Sequence, residues 1–412
     1  MNKLQNYFIG LNSLVIFRNL SFSPVMQALS NLLECAIASN AEQSDFAHPE
    51  YAEFIKSTSA LKLYTEFVFE LYQSHDNISD YICDFIMDDE NYYIKAIAKG
   101  LEPGDMIESA LTHELLFLQN LSQLNSVEIQ IAIQYDDFLP LWRTSKLDIG
   151  QLYIERLNNI SKHGFGIFSK HHMFTISGER IVPVKCPDPQ LISELISYER
   201  EREIVIKNTQ TLIDGGKASN LLLYGDAGTG KSSTIKAVVN HFKNDGLRLI
   251  EVKKHQLFIL PDILEQLAEN PLKFIVFIDD LSFLENDDNF TSLKALLEGS
   301  VSAISQNVVI YATSNRRHLV KESFSDRSNS DEIHVNDTLQ EISSLAARFG
   351  LTITFDKPNK DIYLSIATEL AKTHGISVDE QFLIKAEAFA LRANGRSPRA
   401  AKQFVGLFKS GI

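Results

Sequence analysis

The chain predicts an α/β protein. A parallel-sheet core carries a small helical C-terminal segment and follows a mostly helical N-terminal region. Three observations carry this expectation. An apolar strand, Leu221-Leu222-Leu223-Tyr224, runs into a glycine-rich loop and a helix start. Past Pro183, Pro187 and Pro189, apolar runs alternate with amphipathic stretches, the mark of a parallel sheet with crossover helices. Before those prolines and after Pro358, apolar residues recur at helical spacing. The expected domains are 1–184, mostly helical with a short hairpin near its end, 185–357, the α/β core, and 358–412, a helical lid.

Composition narrows the function classes. The chain has 412 residues, 44% hydrophobic and 22% charged, which is ordinary for a globular protein. Its three cysteines, Cys35, Cys83 and Cys186, are far apart. They suit neither a disulfide framework nor a C-x-x-C zinc site, and they point to a reducing, cytoplasmic setting. The formal net charge of −14 disfavours non-specific binding of nucleic acid by the whole surface. No apolar run reaches the roughly 18 residues a membrane helix needs. The nearest, Tyr7 to Phe17, is interrupted by Asn12 and Ser13 and reads as a buried amphipathic segment rather than a signal peptide.

The elements follow in order. Helices are expected over Pro24–Ala38, Tyr51–Tyr72, Ile78–Ala98 and Met106–Leu121, with Gly100 and Gly104 as breakers. Asp88-Asp89-Glu90 reads as a solvated face. Trp142, the only tryptophan, reads as a packed anchor beside Arg143, with a partner contact as the alternative. A helix is expected over Ile154–Ile160. Met173–Ile176 and Arg180–Val184 flank Ser177-Gly178 as a hairpin. His171 and His172 are adjacent, without further metal ligands at workable spacing. Leu191–Thr211 predicts a helix with a charged Glu199–Glu203 face. Strands are expected over Leu247–Val252, Phe274–Ile278, Val308–Thr313 and Leu351–Phe355. Helices are expected over Leu257–Ala268, interrupted near Pro261, Phe290–Val301, Thr338–Phe349 and, with breaks at Gly375 and Gly395, Lys360–Phe408.

The loop after the first strand fits G-x-x-x-x-G-K-[ST] in full. Gly225, Gly228 and Gly230 can take backbone angles closed to other residues, so successive N–H groups turn inward. Phosphate oxygens then lie against the backbone of Gly225, Asp226, Ala227, Gly228, Thr229, Gly230, Lys231, Ser232 and Ser233, at the positive end of a helix. Lys231 places a charge near the β- and γ-phosphates, and the Ser232 hydroxyl can ligate Mg²⁺. Phe274–Ile278 delivers Asp279 and Asp280 at its C-terminal end. Asp279 can hold Mg²⁺ and Asp280 can orient the attacking water, although such a pair can also cap a helix or sit in a solvated loop. Asn315, at the end of the next apolar strand, can bond the attacking water or the γ-phosphate, or cap the following helix. Arg316, Arg317, His318 and Lys321 form a basic cluster open to a neighbouring subunit, a nucleic-acid strand or a salt-bridged surface.

This order of elements resembles the AAA+ branch of the P-loop NTPases. Gly225–Ser232 looks like its Walker A, Phe274–Asp280 like its Walker B, and Asn315 like its sensor-1 residue. Arg348, in Ala347-Arg348-Phe349-Gly350, resembles the arginine finger that reaches a neighbouring subunit's ATP. Arg399, in Gly395-Arg396-Ser397-Pro398-Arg399, resembles the lid arginine, and Tyr198 sits where the family often packs adenine. Residues 185–412 also look similar to a bacterial family of AAA+ ATP-binding proteins whose function is not established, in which YGDAGTGKSS, FIDDLSF and YATSNRRHL are typical. Asp280 departs from the superfamily's usual glutamate. The resemblance implies ATP and Mg²⁺ and a homo-oligomer that hydrolyses ATP to remodel a macromolecular partner. A slow-hydrolysing switch or scaffold acting through the N-terminal domain is the alternative, and a small-molecule kinase is disfavoured by the separate helical lid. The protein partner is not legible, and no basic stripe interleaved with aromatics supports nucleic acid.

Overall fold

The computed structural model describes residues 3–41, 49–281, 293–294, 297, 305–315, 347–393 and 395–411. The chain forms two compact units, Met1–Ile160 and Ser161–Ile412. The expected boundary at 184/185 therefore moves to 160/161, because the hairpin joins the sheet of the second unit.

The described elements of the first unit are helices, apart from an isolated bridge between Asn77 and Arg143. Helices Pro24–Ala41 and Pro49–Tyr72 pack as a pair around Leu29, Leu33, Tyr64 and Phe67. Trp142 is buried against Tyr64 and Phe67, and its Nε1–H donates to the Leu124 carbonyl at 2.8 Å. The packed-anchor reading holds. Lys3–Asn12 buries Leu4, Tyr7 and Leu11 as an amphipathic helix. The long helix expected over 78–98 is instead two, Ile78–Asp88 and Tyr92–Ala98. Asp89 lies at the break. It is buried rather than solvated, accepts hydrogen bonds from Asn19 and Asn91, and has its pKa pushed up by that burial.

The second unit is built on a seven-stranded sheet. Its strands are β1 Met173–Ser177, β2 Arg180–Pro183, β3 Leu221–Gly225, β4 Leu247–Glu251, β5 Lys273–Ile278, β6 Val308–Ser314 and β7 Leu351–Phe355. Their spatial order is β2-β1-β4-β5-β6-β3-β7. Only the β1–β2 hairpin is antiparallel, and β1 runs parallel to β4. β5 and β6 are near-continuous apolar runs because both faces are covered. Phe274, Val276 and Ile278 face one cluster with helix Leu260–Ala268. Ile275 and Phe277 face another, with helices Glu199–Ile213 and Lys231–Phe242. Parallel pairing aligns the C-terminal ends of β3, β5 and β6, and that edge carries the site.

One expected helix is interrupted, and another divides where it was expected to. Leu191–Thr211 becomes a 3₁₀ turn at Ile192–Glu194 and a helix at Glu199–Ile213, because Ser197 and Tyr198 take left-handed backbone angles. Leu257–Ala268 divides near Pro261 as expected, into a 3₁₀ segment, Lys254–Ile259, and a helix from Leu260 with Pro261 in its first turn. Three lid helices follow β7: Lys360–Thr373, Glu380–Arg392 and Pro398–Lys409. The side chains of Asn359, Asp379 and Ser397 cap them, and Tyr363, Phe382 and Phe404 form their core. The basic cluster at 316–321 and most of the helices expected over 290–301 and 338–349 lie outside the described residues.

Candidate nucleotide site

β3 ends on Gly225, whose φ is +138°. A Cβ there would lie 2.1 Å from the Phe355 carbonyl oxygen of β7, so glycine alone fits. The loop then passes under the lid. The Arg399 N–H donates to the Gly228 carbonyl at 3.2 Å, and a Cβ on Gly228 would meet Ser397 and Arg399 at 3.1 Å. Lys231 opens the following helix and is buried. Its ammonium donates to the carbonyls of Gly225 at 3.0 Å and Asp226 at 2.7 Å, and to Asn315 Oδ1 at 3.1 Å. Burial pushes its pKa down, and the carboxylates of Asp226, Asp279 and Asp280 oppose that shift.

Strand pairing brings the acidic pair to the loop. Ile278 of β5 stands opposite Ala312 of β6, and Tyr224 of β3 opposite Ser314. Asp279 Oδ1 accepts from Ser232 Oγ at 2.7 Å and from Thr313 Oγ1 at 2.5 Å. Asp280 Oδ1 accepts from Asn315 Nδ2 at 2.6 Å. Asn315 therefore bridges Lys231 and Asp280, while Ser232 and Asp279 present two oxygens side by side. Asp280 has φ +51°, an uncommon angle for a residue with a side chain.

Residues 227–234, with Asp279, Asp280, Thr313 and Asn315, line a cleft of about 780 Å³, within the roughly 300–1,000 Å³ typical of small-molecule sites, and Gly225 and Asp226 lie outside its lining. Ile196 and Tyr198, with Ile366, His374, Arg399 and Lys402 of the C-terminal helices, also line it. The Tyr198 ring packs on Phe355 at 5.2 Å between centroids, and its hydroxyl donates to the Asp356 carbonyl at 2.6 Å. Burial, reinforced by Glu201, Asp356 and Asp226, pushes its pKa up to about 12, so it stays a neutral donor. The structure thus brings Tyr198, residues 227–233, Asp279, Asp280, Asn315 and Arg399 around one cleft, while Gly225 and Asp226 meet Lys231 through their carbonyls.

It does not bring Arg348. That residue precedes β7, whose Leu351 pairs with Leu221 at the start of β3, whereas the loop leaves the strand's other end. Five residues of strand separate the two ends by roughly 17 Å. Of the cleft residues that escaped the sequence reading, two hold its geometry. Thr313 was hidden inside an apolar strand, although the β5–β6 pairing would have put it beside Asp279. Arg202 sits in the charged Glu199–Glu203 run, yet it is buried and its guanidinium donates to the Ser197 carbonyl, holding the left-handed turn before Tyr198.

Residues 169–411 match the family described as protein of unknown function, DUF815. Among solved structures, the chain is similar to the Thermotoga maritima RuvB Holliday junction branch migration motor. Identity is 16%, with 54% of this chain and 65% of that chain covered and a TM-score of 0.37. Two single-residue variants of the same protein match at 17% identity over the same shares, with TM-scores of 0.37 and 0.38. The chain spans less than two thirds of each. Residues 169–411 are more than half of the chain, and the chain belongs to the DUF815 family.

Proposed function

We propose that this chain binds ATP with Mg²⁺ and hydrolyses it as a homo-oligomer, using the cycle to remodel a macromolecular partner. The observation that carries the reading is the hydrogen-bonded join of Walker A to Walker B: Ser232 to Asp279, and Lys231 through Asn315 to Asp280. Loop backbone from Gly225 to Ser233 and the Lys231 ammonium hold the phosphates, and Tyr198 supports the base. Ser232 and Asp279 fit a hard cation, because both supply oxygen and neither supplies sulfur. When bound, Mg²⁺ supplies charge neutralisation at the phosphates. Asp280 accepts a proton from, or orients, the attacking water, with Asn315 fixing its carboxylate. Arg399 reaches the phosphates from the lid. Arg348 lies at the far end of β3 from its own loop, which supports service to a neighbouring subunit's site.

One observation favours the slower switch as a second reading. Asp280 is a methylene shorter than glutamate, and its carboxylate is already engaged by Asn315. Multi-turnover kinetics on the wild type separate the two readings. Asp280→Asn is expected to retain Mg·ATP binding in calorimetry while losing hydrolysis by about two orders of magnitude or more, the scale of a lost general base. Undiminished turnover in that variant would remove Asp280 from the reaction.

A further inference from the structure

We infer that Thr313 is a positioning residue that holds the whole acidic corner, and that its hydroxyl sets both Mg²⁺ affinity and turnover. The inference rests on the nucleotide reading above. Thr313 is buried near the end of β6 and grips three consecutive residues. Its hydroxyl donates to Asp279 Oδ1 at 2.5 Å. The same oxygen accepts the Asp280 N–H at 3.0 Å. Its carbonyl accepts the Leu281 N–H at 2.7 Å. A threonine hydroxyl has one proton and two acceptor lone pairs, so the first two contacts use its donor and one acceptor site together.

The arrangement has a geometric consequence. Asp280 holds its left-handed φ of +51° with its N–H directed to Thr313 and to Asp279 Oδ1, the latter at 3.1 Å. Without the hydroxyl, a residue with a side chain has little reason to stay there. Asp279 Oδ1 would lose one of its three donors, Ser232, Thr313 and Asp280. The carboxylate proposed to face the metal and the carboxylate proposed to face the water are therefore aimed by one buried oxygen. Partners that orient a ligand from behind are commonly worth ten- to a hundredfold in affinity or activity.

The test uses Thr313→Val, which keeps the shape and the carbonyl and removes only the hydroxyl, alongside Thr313→Ser, which restores it. Expected for Thr313→Val are a ten- to hundredfold fall in kcat and a similar rise in the Mg²⁺ concentration needed for half-maximal turnover. Affinity for ATP measured in EDTA stays within about threefold, since the loop and Lys231 are untouched. Thr313→Ser recovers most of the kcat and of the Mg²⁺ dependence. Hydrogen exchange of the nucleotide-free chain adds a readout that needs no turnover: segment 279–281 exchanges faster in Thr313→Val while the 225–233 loop does not. Wild-type kcat and Mg²⁺ dependence in Thr313→Val overturn the inference, and so does a Thr313→Ser variant that behaves like the valine. A wild-type chain that neither binds nor hydrolyses ATP would contradict the proposed function instead, leaving the exchange result to decide whether Thr313 holds the corner.

Discussion

At the scale of the residue, Lys231 concentrates the physical tension of the site. It is a buried ammonium with its pKa pushed down, and its donors rest on two loop carbonyls and Asn315. Backbone carbonyls are poorer partners for a desolvated cation than a phosphate oxygen, so an anion entering the loop gains a donor already in place. Lys231→Ala is expected to weaken ATP binding by about ten- to a hundredfold, the worth of one or two charge-assisted hydrogen bonds. Calorimetric titration checks this, and unchanged affinity would remove the loop's assignment. Residues of this kind were legible in the sequence because the motif fixes their spacing along the chain. Thr313 and Arg202 were not. Their importance comes from partners 34 and 5 residues away, Asp279 and Ser197, and nothing in their own neighbourhood marks it.

Elements were legible where periodicity alone decides them. The strands of the second unit fall within a residue of expectation, since long apolar runs leave few alternatives, and the C-terminal helices part around Gly375 and Gly395, although the second begins only at Glu380. Breaks were harder. The run 78–98 keeps its helical spacing across Asp89, yet Asp89 turns inward to Asn19 and Asn91 and ends the first helix. The hairpin 173–183 was seen locally, but its pairing with β4 is a choice of partner across about 75 residues of chain that no local signal encodes. At this scale the end of β3 makes a direct prediction. Gly225→Ala places a methyl against the Phe355 carbonyl at a positive φ, so β3 and β7 must separate. The expected cost is about 2 kcal/mol or more, from strain and overpacking together, seen as a lower melting temperature with nucleotide binding impaired in parallel. Wild-type melting and binding would show that the close approach tolerates a Cβ.

At the scale of the whole molecule, the cleft gathers most of the residues proposed to hold nucleotide, and Arg348, proposed as the arginine finger, is not among its lining. The sheet topology enforces this separation. β3 and β7 run parallel, so anything preceding β7 lies at the end opposite the loop. The first unit, Met1–Ile160, is a separate helical body with its own core, and it is the part whose role the motifs leave open. Described helices include none long and apolar enough to cross a membrane. If Arg348 serves a neighbouring subunit's site, as proposed, mixtures carry a specific signature. Lys231→Ala subunits keep Arg348 and lack a working loop, while Arg348→Ala subunits keep the loop and lack the arginine. The decisive measurement is multi-turnover ATPase activity of the two variants alone and mixed one to one. The account predicts that each alone is inactive and that the mixture recovers about a quarter of the wild-type rate, because half the sites keep the loop and half of those meet an intact arginine in a closed head-to-tail assembly. A mixture as inactive as its parts, or full turnover by Arg348→Ala alone, would contradict it.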